Sequence, residues 1–573
     1  MRLFPISFPL PAEMQAPNRN SAQEGSRGVG GSRIRGPGRE TGRASAVPSR
    51  PTGSTSEAGS GAPEEPRPRR RRLPLWLRAA YKRLLPLLAR VSTNLRIRPP
   101  PPNIGRDEDR FSALPDDVLR GILERLDLRE VVRARAVSTR WRHLPHLLPR
   151  LHLDVRHFVG DNSAVLITGN SPVADVMEAF TGALCSLLSA CPPPAQCKCA
   201  IKTLSLRFFP MSDLSSIGRA VEDAVARGEI ECLEFHTCSP YSLRTGFNTE
   251  GLRAELGQLF MSFSRAYPVT FRWLTMLKFN DLVFGHSDVT DLIRACNRLR
   301  HLTLSSCGLV DRHSVLKIDT PRSGLHELCF IGFRCRWIEL IDVPKLTEVR
   351  CQSSRFENPP VRFGYVPELR CLFLISRIIG FSAPLALSGC LPWSSRNFSN
   401  LYLDFGSQMM WIQMEHPKQL TFTFRNLTNV GLFGIFPECD LSWTTFILEA
   451  APALQNFRLS RERHSCAKIA KGIAEKTNLV WEPSKDLKHL NLKVLQMSGF
   501  EEEDKVTNYI RLVMERTLGL KRIELHGEEP CEKCDDIDDI DPRTRSQVDE
   551  ARRRRIKERL THGPSSSVEI IIC

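Results

Sequence analysis

A short apolar phrase of the form L-x-x-L-x-L recurs along most of the chain. Most copies begin 21 to 29 residues after the previous one. Because successive side chains of a strand point to opposite sides, each phrase predicts a short strand whose apolar side chains face inward. The twelve copies are Ile201/Leu204/Leu206, Ile230/Leu233/Phe235, Leu274/Leu277/Phe279, Leu299/Leu302/Leu304, Leu325/Leu328/Phe330, Leu346/Val349/Cys351, Leu369/Leu372/Leu374, Phe398/Leu401/Leu403, Leu427/Val430/Leu432, Leu454/Phe457/Leu459, Leu492/Leu495/Met497 and Leu520/Ile523/Leu525.

This phrase and its period are typical of leucine-rich repeats, which run about 20–29 residues each. One repeat cannot bury its own apolar face, so neighbouring repeats must stack. The prediction is therefore an α/β fold, an irregular leucine-rich-repeat solenoid with a curved parallel sheet. Some of the returning segments carry helical patterns, namely Val289–Cys296, Ser442–Ala450 and Val506–Leu518.

Two cysteines strengthen the repeat assignment. Cys238 and Cys307 occupy the position that leucine-rich repeats fill with asparagine or cysteine. In proteins with such repeats, this side chain hydrogen-bonds the turning backbone. The resemblance implies the same role for both cysteines here.

A different pattern precedes the repeats, between residues 107 and 150. Its apolar residues recur at helical spacing: Leu114, Val118, Leu119, Ile122, Leu123 and Leu126. Pro115 suits the first turn of this helix, Asp127 with Glu130 has capping-box spacing for a second helix, and Ser138 can cap a third that carries Trp141. Three short helices form too small a core to be stable alone, which predicts docking on a partner.

The string from Leu114 to Leu119, the Ile122-Leu123 pair and the segment from Val137 to Arg142 together resemble the F-box of plant F-box proteins. The resemblance implies binding to a Skp-type adaptor and, through it, to a cullin scaffold. It places Leu114 and Pro115 at the adaptor contact. The adaptor-binding set that it implies also includes Val118, Leu119, Ile122, Leu123, Leu126 and Trp141.

The end of the chain extends this family resemblance. Within a solenoid predicted over residues 151–530, residues 490–527 resemble the FBD-like region of plant F-box/LRR proteins. Residues 531–573 form an acidic loop followed by a predicted helix over Arg545–Leu560 and a strand over Val568–Ile572. We expect this last segment to cap the solenoid, with the F-box at its other end.

Residues 1–106 form a basic tail rich in Gly, Pro and Arg, which we predict to be disordered. The tail holds 20 Lys and Arg residues against 6 Asp and Glu, a net charge of +14 out of +16. Because the remaining chain is nearly neutral, the charge does not indicate a nucleic-acid-binding fold. Arg69–Arg72 and the leucines that follow fit a nuclear-import signal or a presequence, or else a solvated linker or a start placed too far upstream.

The cellular setting follows from cysteines and hydropathy. The 18 cysteines are scattered, and many lie in apolar runs, as Cys307, Cys329 and Cys371 do. This favours buried free thiols in a reducing compartment over a disulfide framework. No apolar run approaches the roughly 20 residues that cross a bilayer. We expect a soluble protein of the cytoplasm, the nucleus or both, without a membrane partner.

Candidate chemistry is sparse. Cys531 and Cys534 form one C-x-x-C pair beside aspartates, and a single pair is a weak zinc signal, so we expect an exposed loop and no metal site. No P-loop, dinucleotide fingerprint, H-E-x-x-H or G-x-S-x-G motif is present. The basic run Arg552–Arg555 is balanced by nearby acidic residues and predicts a solvated helix face. We therefore expect no catalysis and no cofactor.

Together these features predict the substrate-recognition subunit of a cullin-based, SCF-type ubiquitin ligase. Polar residues between the buried leucines would hold the target, for example Arg300, His301, Thr303 and Ser305. One alternative is a repeat scaffold that binds a partner without directing ubiquitin transfer. A third interpretation, nucleic-acid binding through the tail, predicts steep salt dependence that is lost when residues 1–106 are deleted.

Overall fold

The computed structural model describes thirteen stretches of the chain. The predicted F-box lies outside them, except for its last two residues, and so do the basic tail, Cys531 and Cys534. The described stretches are 149–159, 170–189, 201–211, 214–239, 249–353, 359–376, 385–408, 412–413, 415–462, 481–484, 487–527, 550–561 and 568–573.

A parallel sheet of fourteen strands dominates the described residues. Every copy of the L-x-x-L-x-L phrase supplies one strand, which confirms the predicted parallel solenoid. In sheet order the strands are β1 Arg150–Asp154, β2 Ile201–Phe208, β3 Ile230–Thr237, β4 Leu274–Asn280, β6 His301–Ser305, β9 Glu327–Ile331, β11 Glu348–Ser353, β13 Cys371–Ser376, β15 Asn400–Gln408, β17 Asn429–Ile435, β18 Asn456–Arg461, β19 Val494–Ser498, β20 Arg522–Leu525 and β21 Glu569–Ile572.

Shorter strands and helices form the returning side. The strands are β5 Val283–Phe284 with β7 Gly308–Leu309, β8 Leu316–Asp319 with β10 Ile338–Asp342 and β12 Val361–Tyr365, and β14 Leu385–Ala386 with β16 Ile412–Gln413. The helices are α1 Asn170–Ser189, α2 Ser215–Ala226, α3 Thr249–Ala266, α4 Pro268–Trp273, α5 Asp288–Ala295, α6 Leu387–Cys390, α7 Pro417–Phe424, α8 Thr445–Ala450, α9 Asp504–Arg516 and α10 Glu550–Thr561. Two 3-10 turns span Val155–Phe158 and Ser442–Thr444.

Helices return the chain in the first and last repeats, whereas β8, β10 and β12 form a second parallel sheet behind the middle repeats. The helical predictions are confirmed by α5, by the 3-10 turn with α8, and by α9. The middle segments were too short and too rich in β-branched and aromatic residues to carry a helical period, and they form strands instead. Ile338 and Leu340 of β10 are fully buried between the layers.

The core consists of apolar ladders that run across the main sheet. Parallel pairing places Leu302 opposite Leu328 and Leu304 opposite Phe330, and the same two positions continue through β21. These four side chains are at most 1% exposed. Since each buried CH₂ contributes about 0.8 kcal/mol, such ladders stabilise the stack far more than any polar contact described below.

One step of the sheet departs from the simple repeat. The phrase pattern aligns Leu233 with Leu277, but the structure pairs Leu233 with Leu274 and Phe235 with Leu277. The step between these phrases is longer than the others because α3 and α4 are inserted there. The register therefore shifts by one apolar position between β3 and β4.

The last described elements of the chain continue the solenoid beyond β20. Strand β21 pairs with β20 as the last strand, and α10 packs on α9. The Glu502 carboxylate forms ion pairs with Arg552 at 2.6 Å and with Arg555 at 3.4 Å. Arg559 forms an ion pair with the Asp504 carboxylate at 2.6 Å. Ion pairs from the basic run thus hold α10 against the segment that leads into α9. The run is therefore not only a solvated helix face.

The cysteines of the described residues are free thiols, as predicted, but not all of them are buried. Cys307 is fully buried, whereas Cys329 and Cys371 are partly exposed. Both sit on the sheet side opposite the buried leucines, because each lies one residue from a buried ladder position.

Cys238 and Cys307 hydrogen-bond the backbone as the repeat pattern implies. Cys238 Sγ donates to the Phe208 carbonyl at 3.6 Å, and Cys307 Sγ donates to the Ser305 carbonyl at 3.2 Å. Burial raises the pKa of Cys238 to about 11 and that of Cys307 to about 12, which keeps both thiols protonated as donors.

His489 is a buried polar bridge between two consecutive turns. Its Nε2 lies 2.9 Å from the Ala451 carbonyl, and its Nδ1 accepts from the Leu492 amide at 3.1 Å. The ring must therefore be neutral, with its proton on Nε2. Burial lowers the pKa of His489, which is consistent with this arrangement.

Among the described residues, no helix is both long and apolar enough to cross a membrane.

Candidate functional site

We call the side of the main sheet opposite the buried ladders the open face. Each strand presents three side chains to it, and they alternate with the buried residues. On β6 these are His301, Thr303 and Ser305, between the buried Leu302 and Leu304. The open face therefore repeats alternate positions along each strand of a continuous parallel sheet. On β6 all three are polar, whereas β13 presents Cys371, Phe373 and Ile375.

The structure brings three of the four predicted target-binding residues onto this face. His301 Nδ1 lies 2.9 Å from a carboxylate oxygen of Glu327 on the next strand, and Thr303 pairs in register with Cys329. Arg300 precedes the strand and is exposed, while its carbonyl accepts from the amides of the following repeat. The predicted adaptor-binding residues, from Leu114 to Trp141, lie outside the described stretches.

A row of stacked aromatic side chains lies farther along the open face. The rings of Phe373 on β13 and Tyr402 on β15 are 4.5 Å apart between centroids and only 13° from parallel. The Phe433 ring on β17 follows at 6.3 Å from Tyr402, with an angle of 27°. Such offset stacking contributes about 0.5–1.5 kcal/mol per pair beyond area burial.

Gly431 allows the third ring to join the row. The residue in register with Tyr402 on the next strand is Gly431, so this position has no side chain of its own. A Cβ added at Gly431 would lie 2.7 Å from the rings of both Tyr402 and Phe433. The Phe433 ring therefore fills the space above the glycine and keeps the aromatic row continuous.

Arginines occupy the same position on either side of the rings. The Arg350 guanidinium carbon lies 4.1 Å above the centroid of the Phe373 ring, and the Glu348 carboxylate pairs with that guanidinium. On the other side, Arg458 pairs in register with Gly431 and donates through Nε to Gln496 at 2.7 Å. Phe373 is only 6% exposed because Arg350 and Tyr402 cover its two faces.

An asparagine ladder runs beside the aromatic row. Asn456 donates through Nδ2 to Asn429 Oδ1 at 2.7 Å, and Asn429 donates in the same way to Asn400 at 2.8 Å. These amides occupy the first open-face position of β18, β17 and β15. The ladder fixes the side-chain amides and presents a line of polar groups next to the rings.

The electrostatics of the open face differ between its ends. Near β1, Asp154 binds Arg156 at 2.8 Å and Arg207 at 3.9 Å, and hydrogen bonds to Arg156 help to lower the pKa of that carboxyl against its burial. Beside the rings, burial raises the pKa of Tyr402, so its hydroxyl stays neutral and can donate. Hydrogen bonding from His236 lowers the pKa of Glu234.

The turns that leave the strands are held by one arginine. Asp281 and Ser306 both have positive φ, at 60° and 51°. Arg253 from α3 pairs with the Asp281 carboxylate at 3.1 Å and also donates to the backbone carbonyl of Ser306. This contact ties the turns after β4 and β6 together.

Within the described part of the chain, no group of three or more His, Cys, Asp or Glu side chains could hold a metal ion. The strongest chemical feature of the open face is the aromatic row, which the sequence interpretation missed. A signal was present in the phrases themselves. The middle residue of Leu372-Phe373-Leu374 and of Leu401-Tyr402-Leu403 is aromatic, and alternation alone places it on the open face.

Two family models match the chain. A model of the F-box domain matches residues 111–152. A model described as At1g61320/AtMIF1, LRR domain, matches residues 201–560, which is more than half of the chain.

Curated Arabidopsis thaliana proteins are also similar to it. The F-box/FBD/LRR-repeat protein At5g22660 is 24% identical over 447 residues, covering 74% of this chain and 91% of that protein. The F-box protein At1g80960 is 39% identical over 72 residues, and the F-box/FBD/LRR-repeat protein At5g53840 is 38% identical over 66. These two alignments cover 13% and 12% of this chain, and each spans only 15% of the relative's length.

Proposed function

The chain belongs to the At1g61320/AtMIF1 LRR-domain family and carries an F-box, and from this membership we propose that it is the substrate-recognition subunit of a cullin-based, SCF-type ubiquitin ligase. In this proposal the F-box binds a Skp-type adaptor, and the open face of the sheet binds the target protein. The chain supplies no chemistry of its own. It acts as an adaptor between the ligase and its target.

One observation carries the proposal: an F-box match at residues 111–152 is followed by a stacked parallel solenoid with an open polar face. The three short helices that the sequence predicts for the F-box are too small to form a stable core alone, so we expect them to need a docking partner. The repeat array instead buries its own core and leaves one side of its sheet available. The F-box therefore suits one partner, and the solenoid suits another.

The mechanism is proximity. Holding a target on the open face raises the effective concentration of its lysines near the ubiquitin carrier that the cullin brings. Such an adaptor needs no acid, base or nucleophile. It needs a rigid link between the two binding parts, and the continuous apolar ladders give the solenoid that rigidity.

Co-purification with a Skp-type adaptor tests the proposal. We expect the full chain to capture the adaptor in stoichiometric amounts and the variant Leu114→Ala, Pro115→Ala to lose it. A matched control replaces a leucine and a proline on the solenoid surface, Leu518→Ala with Pro452→Ala, and should bind as the unaltered chain does. Leu518 is 66% exposed and Pro452 is exposed, so neither change disturbs the core.

The outcome decides between the two main functions. Failure of the folded, unaltered chain to capture any Skp-type adaptor would remove the ligase function and leave a protein-binding scaffold. Once a target is known, substituting His301, Thr303 and Ser305 should weaken its capture and leave adaptor binding intact. Loss of both target capture and adaptor binding in that variant would contradict the proposal that the solenoid binds the target and the F-box binds the adaptor.

A further inference from the structure

The open face carries a stripe of positive charge and aromatic rings that crosses several strands. Its centre is the middle open-face position, the residue between the two buried residues of each strand. From β4 to β19, register pairing joins these residues into one line: Lys278, Thr303, Cys329, Arg350, Phe373, Tyr402, Gly431, Arg458 and Gln496. Between Lys278 and Gln496 this line holds three cations and no anion, and the next residue in register, Glu524 on β20, is acidic. We call Lys278, Arg350, Phe373, Tyr402, Phe433 and Arg458 the cationic–aromatic stripe.

Four members of the stripe are preorganised, because they hold one another in place. Arg350 rests on Phe373, Phe373 stacks on Tyr402, and Phe433 leans over Gly431 to reach Tyr402. Tyrosine, tryptophan and arginine are the residues that most often dominate binding energy at protein interfaces. Fixed rings also lose little conformational entropy when a partner binds.

The charges of the stripe are only partly neutralised within the chain. Arg350 has the Glu348 carboxylate beside it, but Arg458 is hydrogen-bonded to the neutral amide of Gln496. Tyr402 adds a hydroxyl that stays protonated and can donate. The arginines on either side of the rings therefore favour an acceptor-rich, negatively charged partner, although Asp404, in register with Phe433, adds one negative charge beside the rings. The asparagine ladder beside them can bind amide groups of a peptide backbone.

The spacing of the cations defines the partner further. Neighbouring strands lie about 4.8 Å apart, so Lys278 and Arg350 are roughly 14 Å apart and Arg350 and Arg458 roughly 19 Å apart across the sheet. An extended peptide rises about 3.3 Å per residue, so these distances correspond to roughly four and six residues.

We propose that the cationic–aromatic stripe binds an extended acidic segment of a partner protein that crosses the strands. Its carboxylates would be spaced to reach Lys278, Arg350 and Arg458. Its aromatic side chains would pack against Tyr402 and Phe433, which are partly exposed between the two arginines, whereas Phe373 is already covered. The proposal deepens the proposed function, because it rests on the open face being where the target binds. It names the chemistry of the recognised segment.

A single-stranded nucleic acid also stacks on aromatic platforms, but the stripe suits it less well. A nucleic-acid strand carries one phosphate charge per nucleotide, whereas the stripe has only one cation for every three or four strands of the sheet. The carboxylates of Glu327 and Glu348 occupy the first open-face position of β9 and β11, next to Arg350. Closely spaced phosphates would meet these anions, whereas a peptide can donate its backbone amides to them.

The test uses a fluorescein-labelled synthetic peptide with three glutamates at the spacings given above and two tyrosines between the second and third. Fluorescence anisotropy measures its binding to the full chain. Arg458→Gln and Tyr402→Leu should each weaken binding by about tenfold, the effect of losing one charge-assisted contact or one stacked anchor. The control Arg272→Gln removes an exposed arginine of α4 and should bind normally.

Further probes make the test decisive. A peptide with glutamine in place of each glutamate should bind at least about tenfold more weakly than the acidic peptide. Equal binding of the two peptides, stronger binding of oligo-dT, or no effect of either stripe variant would overturn the proposal. Thermal melting of each variant confirms that it is folded, and Arg458→Gln changes only a surface side chain.

Adaptor co-purification from the same preparations separates this proposal from the ligase function. If the unaltered chain captures the adaptor but does not bind the peptide, the stripe is refuted and the ligase function stands. If the unaltered chain binds the peptide but does not capture the adaptor, the ligase function is refuted and the stripe stands.

Discussion

Replacing Tyr509 by phenylalanine and Thr444 by valine, singly and together, measures a hydrogen bond buried between α9 and the repeat before it. The Tyr509 hydroxyl lies 2.6 Å from Thr444 Oγ1, and Thr444 Oγ1 donates in turn to the Leu441 carbonyl at 2.8 Å. Tyr509 is 5% exposed and Thr444 is fully buried. Because the threonine hydroxyl already donates to the carbonyl, the tyrosine must be the donor between the two hydroxyls.

Because of this geometry, we expect the three variants to lose different amounts of the free energy of unfolding. Tyr509→Phe removes one hydrogen bond and leaves Thr444 with its carbonyl partner, so we expect a loss of about 1 kcal/mol in the free energy of unfolding. Thr444→Val leaves a buried tyrosine hydroxyl without an acceptor, which costs about 1–3 kcal/mol. In the double variant the unpaired hydroxyl is gone, so its loss should be about 1–2 kcal/mol smaller than the sum of the single losses.

Urea unfolding followed by circular dichroism gives the three free energies. Tyr365→Phe serves as the control, since Tyr365 is 53% exposed, and it should change the stability by less than about 0.5 kcal/mol. A double variant whose loss equals the sum of the single losses would refute the reasoning, because it would show that the two hydroxyls do not interact in the folded protein.

Two further predictions concern the same end of the solenoid. The pKa of His489 is lowered by burial, so its neutral form stabilises the fold fully above the unfolded value of about 6.5. As the pH falls from about 6.5 through the folded pKa of His489, protonation of the ring breaks the hydrogen bond that the Leu492 amide donates to it. The melting temperature should therefore fall less over this pH range in His489→Gln than in the unaltered chain. Gly519→Ala places a Cβ 1.9 Å from the Leu490 carbonyl oxygen, which is backbone, so it should destabilise the protein by about 1–3 kcal/mol in urea unfolding. Gly527→Ala, with nothing within 4 Å, should not.

Alternation along the chain was enough to predict most of the fold. In Leu302-Thr303-Leu304, as in the other phrases, the apolar residues must turn to one side of a strand, and a period near 25 residues forces the strands to stack in parallel. The same alternation predicted that His301, Thr303 and Ser305 lie opposite the core. The cap over residues 550–572 followed from a charged helical stretch and a final apolar run.

The returning side was less predictable, because it depends on what the core leaves to be covered. Segments such as Ile338–Asp342 are too short to show a period, and only the layer behind them decides that they form strands. The register shift at Leu274 could not be predicted from the sequence either. It comes from the two inserted helices, whose position along the sheet no local pattern records.

The sequence alone determined the repeat, the parallel sheet and the family, because these depend on residue type and spacing, which are local. Only the tertiary structure decided that Arg350, Phe373, Tyr402, Phe433 and Arg458 form one surface. These residues come from five successive strands of the main sheet, and their contact depends on the register of every strand between them. The missing side chain at Gly431 completes the surface, and its effect is visible only once two rings from different strands are placed beside it.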